Sequence, residues 1–148
     1  MTHLRRGCRG FTLTELVTVI IIASILAAFA VARINTKEFD NEGYANRVGA
    51  MTRFAQKLAI DQRRDVRVLV TGNTLSLCYG NTSCSGGSVR EPPGANAFSY
   101  AAPSGITASS IDFWFNALGK PSSGGTITVT DGTTPRTITI EAETGYVH

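Results

Sequence analysis

Glu141 and Glu143 stand two residues apart near the end of a 148-residue chain. On a strand that spacing puts both carboxylates on one face, as a general acid and base would require. The groups that would complete a catalytic site are absent. The histidines are His3 and His148, at opposite ends of the chain, so no Ser/His/Asp or Cys/His arrangement can be built. Cys8, Cys78 and Cys84 lack further ligands at metal-binding spacing. There is no Walker loop and no dinucleotide-binding glycine motif. The two glutamates are therefore read as a solvated strand edge, and Asp61 and Asp65 as local partners of Arg64 and Arg67. No enzymatic activity, cofactor or metal is expected.

The carboxylate in the least favourable place is Glu15. Residues 16–32 form a run of seventeen without a charge, in which only Thr18 and Ser24 are polar. Extended back to Phe11, the run has twenty-two residues and one ionisable group. As a helix it would measure roughly 33 Å, close to the ~30 Å hydrocarbon thickness of a bilayer. A charge at the centre of such a helix costs roughly 2.5–3.5 kcal/mol, less near an interface. Glu15 must either snorkel to the headgroups or meet a cation. Ahead of it, residues 1–10 carry Arg5, Arg6 and Arg9 and no acid. A secretory signal would place its small-residue cleavage site after the apolar run, whereas here Gly10 precedes it. On physics alone this is an uncleaved anchor with its arginines held in the cytoplasm.

The segment Gly10-Phe11-Thr12-Leu13-Thr14-Glu15-Leu16, between a basic leader and an apolar run, resembles the processing signal of type IV prepilins and type II secretion pseudopilins. The resemblance implies that a prepilin peptidase cuts after Gly10 and that the new terminus, Phe11, is N-methylated. It also implies that Glu15 pairs with the terminal amine of a neighbouring subunit. Such a pair neutralises both charges in low dielectric and sets the axial offset between subunits. Leu16, Val19, Ile20, Ile22, Ile25, Leu26 and Phe29 would pack first against lipid, then against the helices of other subunits. The family often has a proline near the end of the apolar half; Val31-Ala32-Arg33 stands there instead.

Leader removal changes the charge balance. Losing Arg5, Arg6 and Arg9 from fourteen basic side chains leaves eleven, equal to the eleven acidic ones, so the net charge gives no general case for nucleic acid. Cys8 leaves with the leader. In an exported domain Cys78 and Cys84 are expected to form a disulfide closing a small loop; the alternative is two unrelated thiols in a flexible one.

After the apolar run, Tyr44, Val48, Met51, Ala55 and Leu58 recur at helical spacing with Phe54 beside them, predicting an amphipathic helix to about residue 64. Its wet side carries Arg47, Arg53, Lys57, Arg63 and Arg64. Val66, Val68 and Val70 then alternate up to Gly72-Asn73, a two-residue turn that sets Val70 opposite Leu75, Val68 opposite Leu77 and Val66 opposite Tyr79. Residues 80–110 read as a long Gly/Ser/Pro-rich loop with one short strand at residues 97–101. A strand at residues 111–115 leads into a turn at residues 116–121. A second hairpin pairs residues 126–130 with residues 136–140. A two-residue Asp131-Gly132 turn would set Ile127 against Arg136, so a longer loop through Thr133, Thr134 and Pro135 is expected. Tyr146-Val147 ends the chain as a last strand pair. Phe115 through Pro121, and the Gly145-Tyr146-Val147 ending, resemble the GspH/FimT-type head, shared with minor pilins of mannose-sensitive haemagglutinin pilus systems.

The expected fold is α+β, a long N-terminal helix packed on an antiparallel β-sheet head, as in pilins. Residues 1–10 would be the leader, 11–32 the transmembrane and assembly half of the helix, and 33–148 a periplasmic head. The resemblance implies a minor type IV pilin that initiates or caps a pilus, anchored by one pass in the inner membrane before it enters the filament. Its partners would be other pilin subunits, the prepilin peptidase and an inner-membrane assembly platform. The alternative is a type II secretion pseudopilin of the GspH type. A third reading, a DNA-binding competence pilin, rests on Arg53, Lys57, Arg63 and Arg64; the aromatics do not interleave with these cations, so nucleic acid is not expected as a partner.

Overall fold

The computed structural model describes residues 11–31, 36–82, 84, 86–90 and 96–148. The leader, the 32–35 junction and residues 91–95 lie outside them. Two compact units are present, Met1–Asn35 and Thr36–His148.

In the first unit, α1 spans Leu13–Val31. Thr12 begins it as an N-cap: its Oγ1 accepts the Glu15 N–H at 3.3 Å, and its carbonyl accepts the Leu16 N–H at 3.2 Å. The two hydroxyls inside the helix turn back on its own carbonyls. Thr18 donates to Thr14 and Glu15, and Ser24 to Ile20. Neither therefore needs a polar partner outside α1. Among the described residues no helix is long and apolar enough to cross a membrane. The 19 residues of α1 measure roughly 28 Å.

The second unit opens with α2, Thr36–Gln62. It stops where Arg63 takes a left-handed φ of 51° and the Arg64 N–H reaches back to Ala59 at 3.2 Å, a Schellman ending with arginine in the place usually given to glycine. The helix is thus slightly shorter than expected. Its buried face is Asn41, Tyr44, Ala45, Val48, Gly49, Thr52, Ala55 and Ala59. Tyr44, Val48 and Ala55 stand where the periodicity puts them. Met51 and Leu58 are only half-buried and Thr52 and Ala59 take the core positions. Small residues at the contact let the helix approach the sheets closely, which large apolar ones would prevent.

Strands β1 (Val66–Thr71), β2 (Thr74–Tyr79), β3 (Ser99–Ala101) and β5 (Ile111–Phe115) form one antiparallel sheet, in the order β3-β2-β1-β5. Strands β4 (Thr107–Ala108), β6 (Gly125–Thr130) and β7 (Pro135–Ile140) form a second, in the order β4-β6-β7. The first hairpin has the register its turn demands, Val66↔Tyr79, Val68↔Leu77 and Val70↔Leu75. Gly72 and Asn73 at φ 56° and 63° make the turn type I′. In the second hairpin Ile127 does face Ile138, and residues 131–134 form the longer loop, but Pro135 belongs to β7 opposite Thr130.

Val66, Val68, Val70, Leu75, Leu77, Phe113, Phe115, Ile127, Val129, Ile138 and Ile140 point inward and pack with α2 into one core. The phenol of Tyr44 reaches through it to the Asn73 carbonyl at 3.0 Å, and burial raises its pKa. Asn73 Oδ1 accepts the Ala108 N–H at 3.0 Å, so one turn ties α2 to both sheets. The expected loop at residues 80–110 carries more order than its composition suggests. Val89, Phe98 and Ile106 are buried, and β4 appears where no periodicity marked it.

Three local pairings differ from expectation. Arg67 pairs with Asp112 of β5 through both carboxylate oxygens, Nε to Oδ1 at 2.6 Å, and not with Asp65. In register Arg67 lies opposite Trp114 and Leu69 opposite Asp112, so the pair is a diagonal one on the outer face. Arg64 lies over the Tyr79 ring at 3.8 Å, and not against Asp61. Glu141 and Glu143 share no strand face, because β7 ends at Ile140 and a turn follows, closed by the Gly145 N–H on the Glu141 carbonyl at 2.8 Å.

Candidate assembly site

Phe11, Thr12 and Glu15 stand together at the start of α1. Thr12 is the N-cap, which places Glu15 at the third helical position, where a carboxylate sits near the positive end of the helix dipole. Thr12-x-x-Glu15 is a capping-box spacing that the sequence reading did not use. Phe11 is exposed, and so is every large apolar residue behind it as far as Phe29, from 46% at Val17 to 79% at Leu13. Val19, Ile20, Ile21 and Ile22 are consecutive and all more than half exposed. At about 100° per residue they cover the whole circumference. A helix apolar on every side cannot be content with one neighbour; it needs lipid or other helices all round. Gly10, the other half of the expected cleavage point, lies outside the described residues.

In the second unit, Cys78 and Cys84 are joined by a disulfide with Cα atoms 5.3 Å apart. It staples the exit of β2 to the loop, where the Tyr79 N–H also bonds the Gly87 carbonyl. The four basic residues considered for nucleic-acid contact, Arg53, Lys57, Arg63 and Arg64, do not act as a set. Arg53 donates its Nε–H to the Val147 carbonyl at 3.2 Å, Arg64 stacks on Tyr79, Arg63 ends the helix, and Lys57 is exposed. Glu141 and Glu143 are also separated by their partners: Glu141 meets His148 Nε2 at 3.2 Å, and Glu143 meets Lys120 Nζ at 2.7 Å. The Lys120 ammonium holds the Glu143 carboxyl below its usual range. Among the described residues no group of His, Cys, Asp or Glu could hold a metal.

The two C-terminal motifs, 24 residues apart in sequence, lie against each other. Asn116 folds the first turn, its Oδ1 accepting the Leu118 and Lys120 N–H groups at 2.9 and 3.0 Å. Gln56 of α2 joins this turn to the ending, its Nε2 donating to the Gly119 carbonyl at 2.9 Å and to the Thr144 carbonyl at 3.1 Å. No pattern in the sequence singled out Gln56. The turn projects Leu118, 87% exposed, into solvent.

Residues 5–31 match the family model described as prokaryotic N-terminal methylation motif, and residues 44–144 match the one described as type II transport protein GspH. Among solved structures, the type IV minor pilin FimU of Pseudomonas aeruginosa is similar in two crystal forms. One shares 18% identity, covering 78% of this chain and 91% of that one at a TM-score of 0.60. The other shares 19%, covering 72% and 90% at 0.56. No curated protein matches the sequence. The α2-on-sheets architecture is thus that of a pilin head, and the chain belongs to the GspH family of type IV pilin-like subunits, the minor pilins and pseudopilins.

Proposed function

We propose that this chain is a minor type IV pilin, a structural subunit that initiates or caps a pilus. Residues 1–10 are the leader. The prepilin peptidase cuts between Gly10 and Phe11, and the Phe11 amine is methylated. The subunit waits in the inner membrane with its head in the periplasm until the assembly platform lifts it into the filament. Leu16, Val19, Ile20, Ile22, Ile25, Leu26 and Phe29 then exchange lipid for the helices of other subunits.

The observation that carries this reading is α1 itself, apolar on every exposed side with one carboxylate at its third position. A new ammonium on Phe11 sits at the positive end of its own helix dipole, where a cation is disfavoured. Glu15 of an adjoining subunit relieves that, and the ammonium in turn relieves a carboxylate held in low dielectric. Both ions gain most when paired between chains, which is what registers one subunit against the next. Mass spectrometry of the protein recovered from filaments tests the scheme. The expected terminus is methylated Phe11; a filament-borne chain that still carries Met1 would overturn it.

The match to the type II transport protein GspH family supports the second reading, a pseudopilin of type II secretion. It needs the same helix and the same assembly event, so the neighbouring genes distinguish the two. Nucleic-acid contact through Arg53, Lys57, Arg63 and Arg64 is the weakest reading, since Arg53 and Arg64 already have partners within the head. Absence of a gel shift at low salt would end it.

A further inference from the structure

Between α2 and β7 an open groove of about 410 Å³ is lined by two guanidinium groups, Arg53 and Arg136, whose terminal nitrogens make no hydrogen bond among the described residues. His148 lines it too, held by two backbone hydrogen bonds exchanged with Thr139 at 2.7 and 3.0 Å. Gly49 leaves its floor without a side chain, and the terminal nitrogens of Arg53 fold back over that gap: a Cβ on Gly49 would lie 3.6 and 3.7 Å from them. Arg53 uses its Nε–H on Val147. Its terminal nitrogens have no hydrogen-bond partner among the described residues. Arg136 enters from β7. Its Nε is buried with no partner in the described structure, and its Nη2 forms a long ion pair with Glu42 Oε2 at 3.9 Å, too far for a hydrogen bond.

Terminal guanidinium N–H groups that find no hydrogen bond within the head favour an outside acceptor, and the group that best answers a planar fork of N–H donors is a carboxylate or phosphate. We propose that the groove receives an aspartate or glutamate side chain from the head of an adjoining subunit, its carboxylate meeting Arg136 and Arg53. This rests on the assembly reading above, which brings heads side by side. A protein carboxylate fits better than a nucleic acid. Lys57, Arg63 and Arg64 do not line the groove, and Arg53 and Arg136 stand there against the single carboxylate of Glu42. A strand of phosphates would need a continuous basic track.

The full chain in detergent micelles, labelled for its arginine Nε–H signals, can be titrated with an end-blocked tripeptide that has a central glutamate. The expected result is a saturable shift of the Arg53 and Arg136 signals together, weakened at high salt. Arg136→Ala should weaken binding about tenfold, with Arg136→Lys, which keeps the charge but loses the planar fork, falling between. An equal shift from the central-glutamine peptide, or no saturable shift, would overturn the proposal. Preferential binding of oligothymidylate would replace it with nucleic acid. In cells, the Arg53→Ala, Arg136→Ala double variant should lose its leader normally and enter filaments poorly. Normal entry sinks the groove and spares the assembly reading; a wild-type chain never found in filaments sinks that reading, while the titration still decides the groove.

Discussion

Gly145 lies so close to Gly119 that a methyl group on its Cα would sit 2.5 Å from the Gly119 carbonyl oxygen and 2.6 Å from Gln56 Nε2. Its φ is +69°, which also disfavours any side chain. The contact holds the C-terminal ending against the turn at residues 116–121, so a change at Gly145 is felt by both.

Gly145→Ala should therefore destabilise the head by about 2 kcal/mol or more, from a disfavoured φ together with a backbone clash. Gly132→Ala is the control. Its φ is +91° but nothing lies within 4 Å of the added methyl, so only the conformational cost of about 1–2 kcal/mol remains. Urea unfolding midpoints of the two variants give the comparison, and equal losses would show that the Gly119 contact is unimportant.

The Cys78–Cys84 bridge closes a loop of sequence separation 6. On chain-entropy grounds, replacing both cysteines by serine should cost about 2 kcal/mol. Reduction of the wild-type protein should lower the unfolding midpoint by a similar amount and leave the serine variant unchanged. A reductant effect on the serine variant would contradict this.

Asp131 in the β6–β7 loop accepts the Thr134 and Thr133 N–H groups on one oxygen, each at 2.8 Å, and these bonds hold its carboxyl below the ordinary value of 3.8. A group with a depressed folded pKa stabilises the fold above its unfolded pKa, and that contribution is lost as pH falls through the folded one. The loop should stay closed at neutral pH and loosen only in strong acid. Amide shifts of Thr133 and Thr134 should titrate with a midpoint below 3.8 and lose the inflection in Asp131→Ala. A midpoint at or above that value would contradict the geometry.

Glu15 has two separable roles at the third position of α1. Glu15→Ala should leave leader removal intact and reduce incorporation into filaments. Glu15→Gln retains a capping-box side chain but removes the charge. If charge pairing between subunits is what counts, glutamine should fail like alanine in the filament fraction on an immunoblot. Wild-type incorporation of the glutamine variant would reduce Glu15 to a helix cap.

Local chemistry was legible in the sequence wherever two local signals agree. The turn Gly72-Asn73 and the alternation of Val66, Val68 and Val70 demand the same register, and β1 and β2 have it. The apolar run and its lone carboxylate likewise define α1 from composition alone. What depends on a distant neighbour could not be read. Asp112 as the partner of Arg67, Gln56 as the clasp between Gly119 and Thr144, and the groove holding Arg53 and Arg136 exist only once strands and helix far apart in sequence are brought together. Even the buried face of α2 was decided this way. Close approach to the sheets favoured Thr52 and Ala59 over the bulkier Met51 and Leu58, because packing selects the volume that fits and hydrophobicity alone does not measure it.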